Sequence, residues 1–142
     1  VVTFQGVAHI AFTVGDMEAA AAWWGRVFGF ERVMRIEEPP TVQRHPRILV
    51  RHPRSGVLLG LHEPYDRSGD MFDPSRTGLD HVALTVLDQE ELSAWMDRLD
   101  LLGVEHSPVR TFGASRFISL EDPDGIQIEL WSSGGAPGPD AA

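Results

Sequence analysis

Gly6-Val7-Ala8-His9-Ile10-Ala11-Phe12-Thr13-Val14-Gly15-Asp16 returns as Gly78-Leu79-Asp80-His81-Val82-Ala83-Leu84-Thr85-Val86-Leu87-Asp88, at a constant offset of 72 residues. The Gly, His, Ala, Thr, Val and Asp positions are identical in the two copies. A repeat of this kind in a chain of 142 residues means two copies of one supersecondary unit. Both copies alternate, which predicts a strand with one packed face and one open face. Ile10, Phe12 and Val14 form the apolar face, which packs on a helix. His9, Ala11 and Thr13 form a small, mildly polar face suited to the floor of a cavity. Each copy therefore places one histidine near the start of a strand.

Outward from the repeat, the two halves continue to match. Asp16 and Asp88 are predicted helix N-caps, and Gly29 and Gly103 are predicted C-caps. The first helix carries Trp23, Trp24, Val27 and Phe28 as an apolar stripe; the second carries Leu92, Trp95, Met96, Leu99 and Leu102. After the first helix come predicted strands at 30–36, 47–52 and 57–62, with a proline-bearing loop at 37–46 and a tight turn at Pro53-Arg54-Ser55-Gly56. After the second come predicted strands at 104–109, 115–120 and 126–131, with a loop at 110–113 and a turn at Asp122-Pro123-Asp124-Gly125. The predicted fold class is α+β: two tandem βαβββ modules forming a curved mixed-sheet cup. The first module spans 6–63, a polar connector 64–77 and the second module 78–132, as one domain over 1–132. A Gly/Pro/Ala tail at 133–142 has nothing to bury and is expected to be disordered.

Composition bounds the function. The chain has no cysteine, so disulfides, thiolate metal sites and a cysteine nucleophile are excluded. No apolar run approaches the roughly 20 residues that cross a bilayer, and no signal peptide is read at the start. A formal charge of −9 disfavours nucleic acid, whose phosphates need a basic patch. The expectation is a cytoplasmic protein with a small-molecule partner, no nucleic acid and no membrane.

The strand–Asp–helix–Leu/Phe–Gly pattern in both halves, with Asp122-Pro123-Asp124-Gly125 before the last strand, resembles the vicinal oxygen chelate superfamily over roughly residues 6–132. That group includes glyoxalase I, extradiol dioxygenases, fosfomycin-resistance proteins, methylmalonyl-CoA epimerase and bleomycin-binding proteins. The resemblance implies paired βαβββ modules, with metal ligands from the first and last strands of each. Carried over by position, the ligands are His9, His81 and Glu129. Gly60 stands at the fourth position and has no side chain to offer, so the set departs from glyoxalase I. It resembles the two-His-one-Glu set of extradiol dioxygenases and fosfomycin-resistance proteins. The implied cofactor is a divalent ion: iron, manganese, zinc, nickel or cobalt.

The residues agree with that set. Two neutral imidazoles and one carboxylate hold a divalent ion on one face and leave positions open for substrate. A glutamate between Ile128 and Leu130 is costly to bury without a partner, and a metal would supply one. The glyoxalase resemblance would let Glu129 leave the metal and act as a catalytic base, but with only three ligands it is expected to stay bound. His62, Gln127 and Trp131 are candidates for the substrate pocket; His62 reads first as an exposed strand end and second as a substitute ligand or substrate contact, and Trp131 equally as a core or dimer residue. Arg47, Arg51 and Arg116 read as solvent-facing strand charges or as an anion contact, and Tyr65 as a surface residue or a proton donor. Two functions follow from the resemblance. One is a metal-dependent enzyme acting on a small oxygen-bearing substrate by lyase, isomerase, group-transfer or dioxygenase chemistry. The other is a metal-free protein that sequesters an aromatic or cationic antibiotic. A homodimer is expected, because a small open cup leaves sheet edges for a second subunit to cover.

Overall fold

Asp16 accepts the amide N–H of Ala19 through Oδ1 at 2.9 Å, and Gly29 closes the segment at φ 78°, so α1 runs Met17–Phe28 between them. Asp88 and Gly103 (φ 68°) do the same for α2, Gln89–Leu102. In this computed structural model, residues 1–37, 45–66 and 69–132 are described. The expected tail and most of the expected 37–46 loop lie outside the described residues.

The strands are β1 (Ile10–Thr13), β2 (Glu31–Ile36), β3 (Arg47–Arg51), β4 (Leu58–His62), β5 (His81–Val86), β6 (Arg110–Phe112), β7 (Ser115–Glu121) and β8 (Gln127–Ser132). They form two four-stranded sheets, ordered β1-β4-β3-β2 and β5-β8-β7-β6. In each sheet the repeat strand runs parallel to the last strand of its module, and the other pairs are antiparallel. The architecture is therefore two βαβββ modules with mixed sheets. The chain divides into two compact units, Val1–Asp70 and Met71–Ala142, and the division falls within the expected connector.

Each unit has its own core. In unit 1, Phe12, Val14, Ile48, Val50, Leu59 and Leu61 are buried under α1. Trp24 is the centre of this core, stacked on Phe12 at 5.9 Å and edge-on to Phe30 at 5.1 Å. In unit 2, Leu92 and Leu99 of α2 join buried Val82, Val86, Ile118, Ile128 and Leu130. The opposite face of each repeat strand is open, with Ala11, Thr13, Ala83 and Thr85 exposed.

One expected strand is displaced. The sequence predicts a strand over 104–109 and a loop over 110–113; the structure has β6 at Arg110–Phe112 instead. His106 makes only an isolated bridge to Leu120. Pro108 has no N–H to continue the ladder, and the Ser119 amide N–H donates to Ser107 Oγ at 2.9 Å rather than to a ladder carbonyl. Pairing resumes at Arg110 opposite Phe117 and ends at Gly113, whose φ of 57° allows a two-residue hairpin loop. Among the described residues no helix is long and apolar enough to cross a membrane.

Candidate functional site

Parallel pairing of β5 with β8 sets His81 opposite Gln127, Ala83 opposite Glu129 and Thr85 opposite Trp131. Period-two alternation then puts His81, Gln127, Glu129 and Trp131 on one face of this sheet. Antiparallel pairing with β7 adds Phe117, Ser119 and Glu121 to that face. Ala83 and Thr85 are small, so the His81 and Glu129 side chains meet above them.

Glu129 is buried at 6% exposure, yet both its oxygens have partners. Its Oε1 accepts the Gln127 amide N–H at 2.9 Å, and its Oε2 accepts the Trp131 indole N–H at 2.6 Å. The carboxylate that the sequence reading paired with a metal also has partners within the protein. Residues two places away on the same strand face already satisfy the carboxylate. Each carboxylate oxygen keeps a second lone pair for another donor or an ion. Trp131 is held in turn, stacked on Phe117 at 4.5 Å with an interplanar angle of 5° and edge-on to Phe112.

His81 lies between two carboxylates. Its Nδ1 is 2.6 Å from Asp80 Oδ1, and its Nε2 is 3.5 Å from Glu129 Oε2. Two donors each about 2.1 Å from one ion, with a tetrahedral angle between them, stand about 3.4 Å apart. The observed pair has that spacing, and Nε2 is the nitrogen on the Glu129 side. His81 and Glu129 therefore fit as two ligands of one divalent ion. Among the described residues no group of three His, Cys, Asp or Glu side chains is gathered for a metal, so what this unit assembles is a pair of donors. Sequence reasoning passed over Asp80. The signal was the mismatch inside the repeat, where Ala8 precedes one histidine and Asp80 the other.

A pocket of about 170 Å³ adjoins this face, lined by Met71, Phe72, Pro74, Asp80, Glu121, Gly125 and Gln127. The Phe72 amide N–H donates to the Asp124 carbonyl at 2.8 Å, so the expected connector is tied down on the Asp122–Gly125 turn. In that turn Asp122 is buried, its Oδ1 accepting from the amides of Asp124 and Ile126 at 2.9 Å each. Its Oδ2 has no partner among the described residues. Burial pushes its carboxyl up to about 6, against the lowering effect of those two amides.

In unit 1, His9 is exposed and immediately precedes β1. Gly60 pairs with Ala11, and His62 with Thr13, so all lie on the face expected to be open. The His62 ring lies back over Gly60: a Cβ there would sit 3.0 Å from His62 Nε2. Trp131 reaches back to Glu129 in the same way, from the equivalent repeat position. Arg47 pairs with His62 and Arg51 with Leu58, on the same face. Tyr65 is 74% exposed.

The family model described as the Glyoxalase/Bleomycin resistance protein/Dioxygenase superfamily matches residues 6–130. The chain is 26% identical over 127 residues to the metallothiol transferase FosB of Bacillus licheniformis, covering 88% of this chain and 73% of that protein. Among solved structures, a glyoxylase/bleomycin resistance protein/dioxygenase domain from Frankia sp. EAN1pec superposes with a TM-score of 0.81 at 24% identity, covering 92% of this chain and 93% of that one. The genomically encoded fosfomycin resistance protein FosX from Listeria monocytogenes, complexed with Mn(II) and sulfate ion, superposes with a TM-score of 0.66 at 22% identity, covering 92% of this chain and 94% of that one.

Proposed function

The chain belongs to the Glyoxalase/Bleomycin resistance protein/Dioxygenase superfamily, and from that premise we propose that it is a divalent-metal-dependent enzyme acting on a small oxygen-bearing substrate. The observation that carries this is the 3.5 Å separation of His81 Nε2 and Glu129 Oε2. His81 and Glu129 are the two ligands of unit 2, and His9 is the third. These residues would hold a divalent ion, which when bound would supply Lewis-acid polarisation of adjacent substrate oxygens or a carbonyl. Gln127 and Trp131 hold the Glu129 carboxylate by its two oxygens and so fix its direction. His62, lying over Gly60, takes the space of a fourth protein ligand and faces substrate instead. Group transfer is the reaction class favoured first, because the matched relative is named a metallothiol transferase. The protein acts as a homodimer in the cytoplasm, without nucleic acid.

The alternative is a metal-free binding protein. It is favoured by one observation: Glu129 is satisfied by Gln127 and Trp131 without an ion. Elemental analysis of protein purified without added metal or tag chelation separates the two, repeated on His81→Ala and Glu129→Ala. About one divalent ion per chain in the parent, lost in both variants, supports the enzyme. No ion after reconstitution with iron, manganese, zinc, nickel and cobalt overturns it and leaves the binding protein.

A further inference from the structure

We propose that Asp80 is a positioning residue for His81, setting which imidazole nitrogen carries the proton and which faces Glu129. This rests on the reading of His81 as a ligand for its consequence, but not for its geometry. A neutral imidazole has one N–H and one lone pair. A carboxylate offers only acceptors, so the 2.6 Å contact of Asp80 Oδ1 with His81 Nδ1 places the proton on Nδ1. The lone pair is then on Nε2, the nitrogen 3.5 Å from Glu129 Oε2. The opposite tautomer would set an Nδ1 lone pair against the carboxylate and turn an N–H toward Glu129, closing the metal-binding side.

The ring needs such a hold. Its side chain is 39% exposed, and its strand neighbours on that face are the small Ala83 and Thr85. Asp80 stands just before β5, where its backbone is outside the ladder and its side chain reaches the next residue's ring. The repeat gives an internal control. Ala8 occupies the equivalent position, so His9 has no carboxylate from its preceding residue. The two proposed histidine ligands are thus unequal. One is oriented before an ion arrives, and a carboxylate behind a ligating imidazole also strengthens it as a donor to the metal.

The test is long-range proton–nitrogen correlation NMR of metal-free, nitrogen-15-labelled protein at about pH 8, followed by titration with Mn(II). It uses the parent, Asp80→Asn and Asp80→Ala. The amide oxygen of Asn still accepts from Nδ1–H; Ala does not. The expected result is the Nδ1–H tautomer for His81 in the parent and in Asp80→Asn, with the proton redistributed toward Nε2 in Asp80→Ala. Backbone amide signals of unit 2 that match across the metal-free parent and variants show that the fold is kept. Mn(II) affinity then falls about 10- to 100-fold in Asp80→Ala and less in Asp80→Asn. An unchanged His81 tautomer in Asp80→Ala overturns the assignment. A changed tautomer with unchanged Mn(II) affinity upholds the positioning by Asp80 and overturns its consequence for the metal. A parent that binds no Mn(II) overturns the metal reading, while the tautomer result still decides what Asp80 does.

Discussion

Glu129 shows how a buried carboxylate is held by its own strand. Trp131→Phe keeps the stacking on Phe117 but removes the indole donor. The charge-assisted bond it deletes should cost about 1.5–3 kcal/mol of stability, read from urea denaturation. Glu129→Gln leaves one acceptor where two donors converge and removes the charge, so it should lower the melting temperature as well as weaken metal retention. If metal content survives in Glu129→Ala, Glu129 is not a ligand. Asp122 gives a pH signature. Its folded value of about 6 exceeds the ordinary 3.8, so the folded state holds the proton more tightly. The stabilisation is complete below about 3.8 and is lost as pH rises through about 6. Urea midpoints compared at pH 4 and pH 7 should therefore show Asp122→Asn gaining relative to the parent as pH rises. No change in the difference would sink the assignment.

At the scale of elements, capping decides where the helices begin and end. Gly29 and Gly103 both sit in the left-handed region, and a Cβ at either would meet nothing within 4 Å. Ala at either position should cost about 1–2 kcal/mol, all of it conformational. A different logic holds at Gly60, where the backbone is ordinary strand and the crowding atom is the end of a flexible imidazole. Gly60→Ala should fold nearly as well as the parent but displace His62. If His62 faces substrate, Gly60→Ala and His62→Ala should then impair turnover alike once an activity is found. The matched helices were legible because Asp and Gly caps act locally. The place of β6 was not read, although Pro108 within 104–109 argued against a strand there; the pairing with β7 fixes it at Arg110–Phe112.

For the whole molecule, the proposals concern assembly. β2 and β6 are the outer strands of their sheets and expose Val33, Met34 and Phe112. This supports the homodimer, and a sedimentation concentration series showing only monomer would reject it. Mixing His9→Ala with Glu129→Ala protein decides where the ligand set is built. One intact site per mixed dimer means ligands shared between chains; none means a set within one chain. Chelation should abolish activity in either case.

The repeat, the caps and the period-two alternation were readable from the sequence alone, because each depends on residues close together in the chain. They led to two βαβββ modules and to the open face of each repeat strand, and the family resemblance carried on those residues singled out His9, His81 and Glu129 as candidates for one site. Tertiary structure decided what those residues touch. Parallel pairing of β5 with β8 brought His81 to Glu129 from opposite ends of the second module. The same packing satisfied Glu129 through Gln127 and Trp131, and in the first module the ring of His62 folded over Gly60. Asp80's role also belongs to this level. An aspartate before a histidine has no assigned partner until the ring's orientation in the sheet is set, since only strand pairing fixes which nitrogen faces which carboxylate.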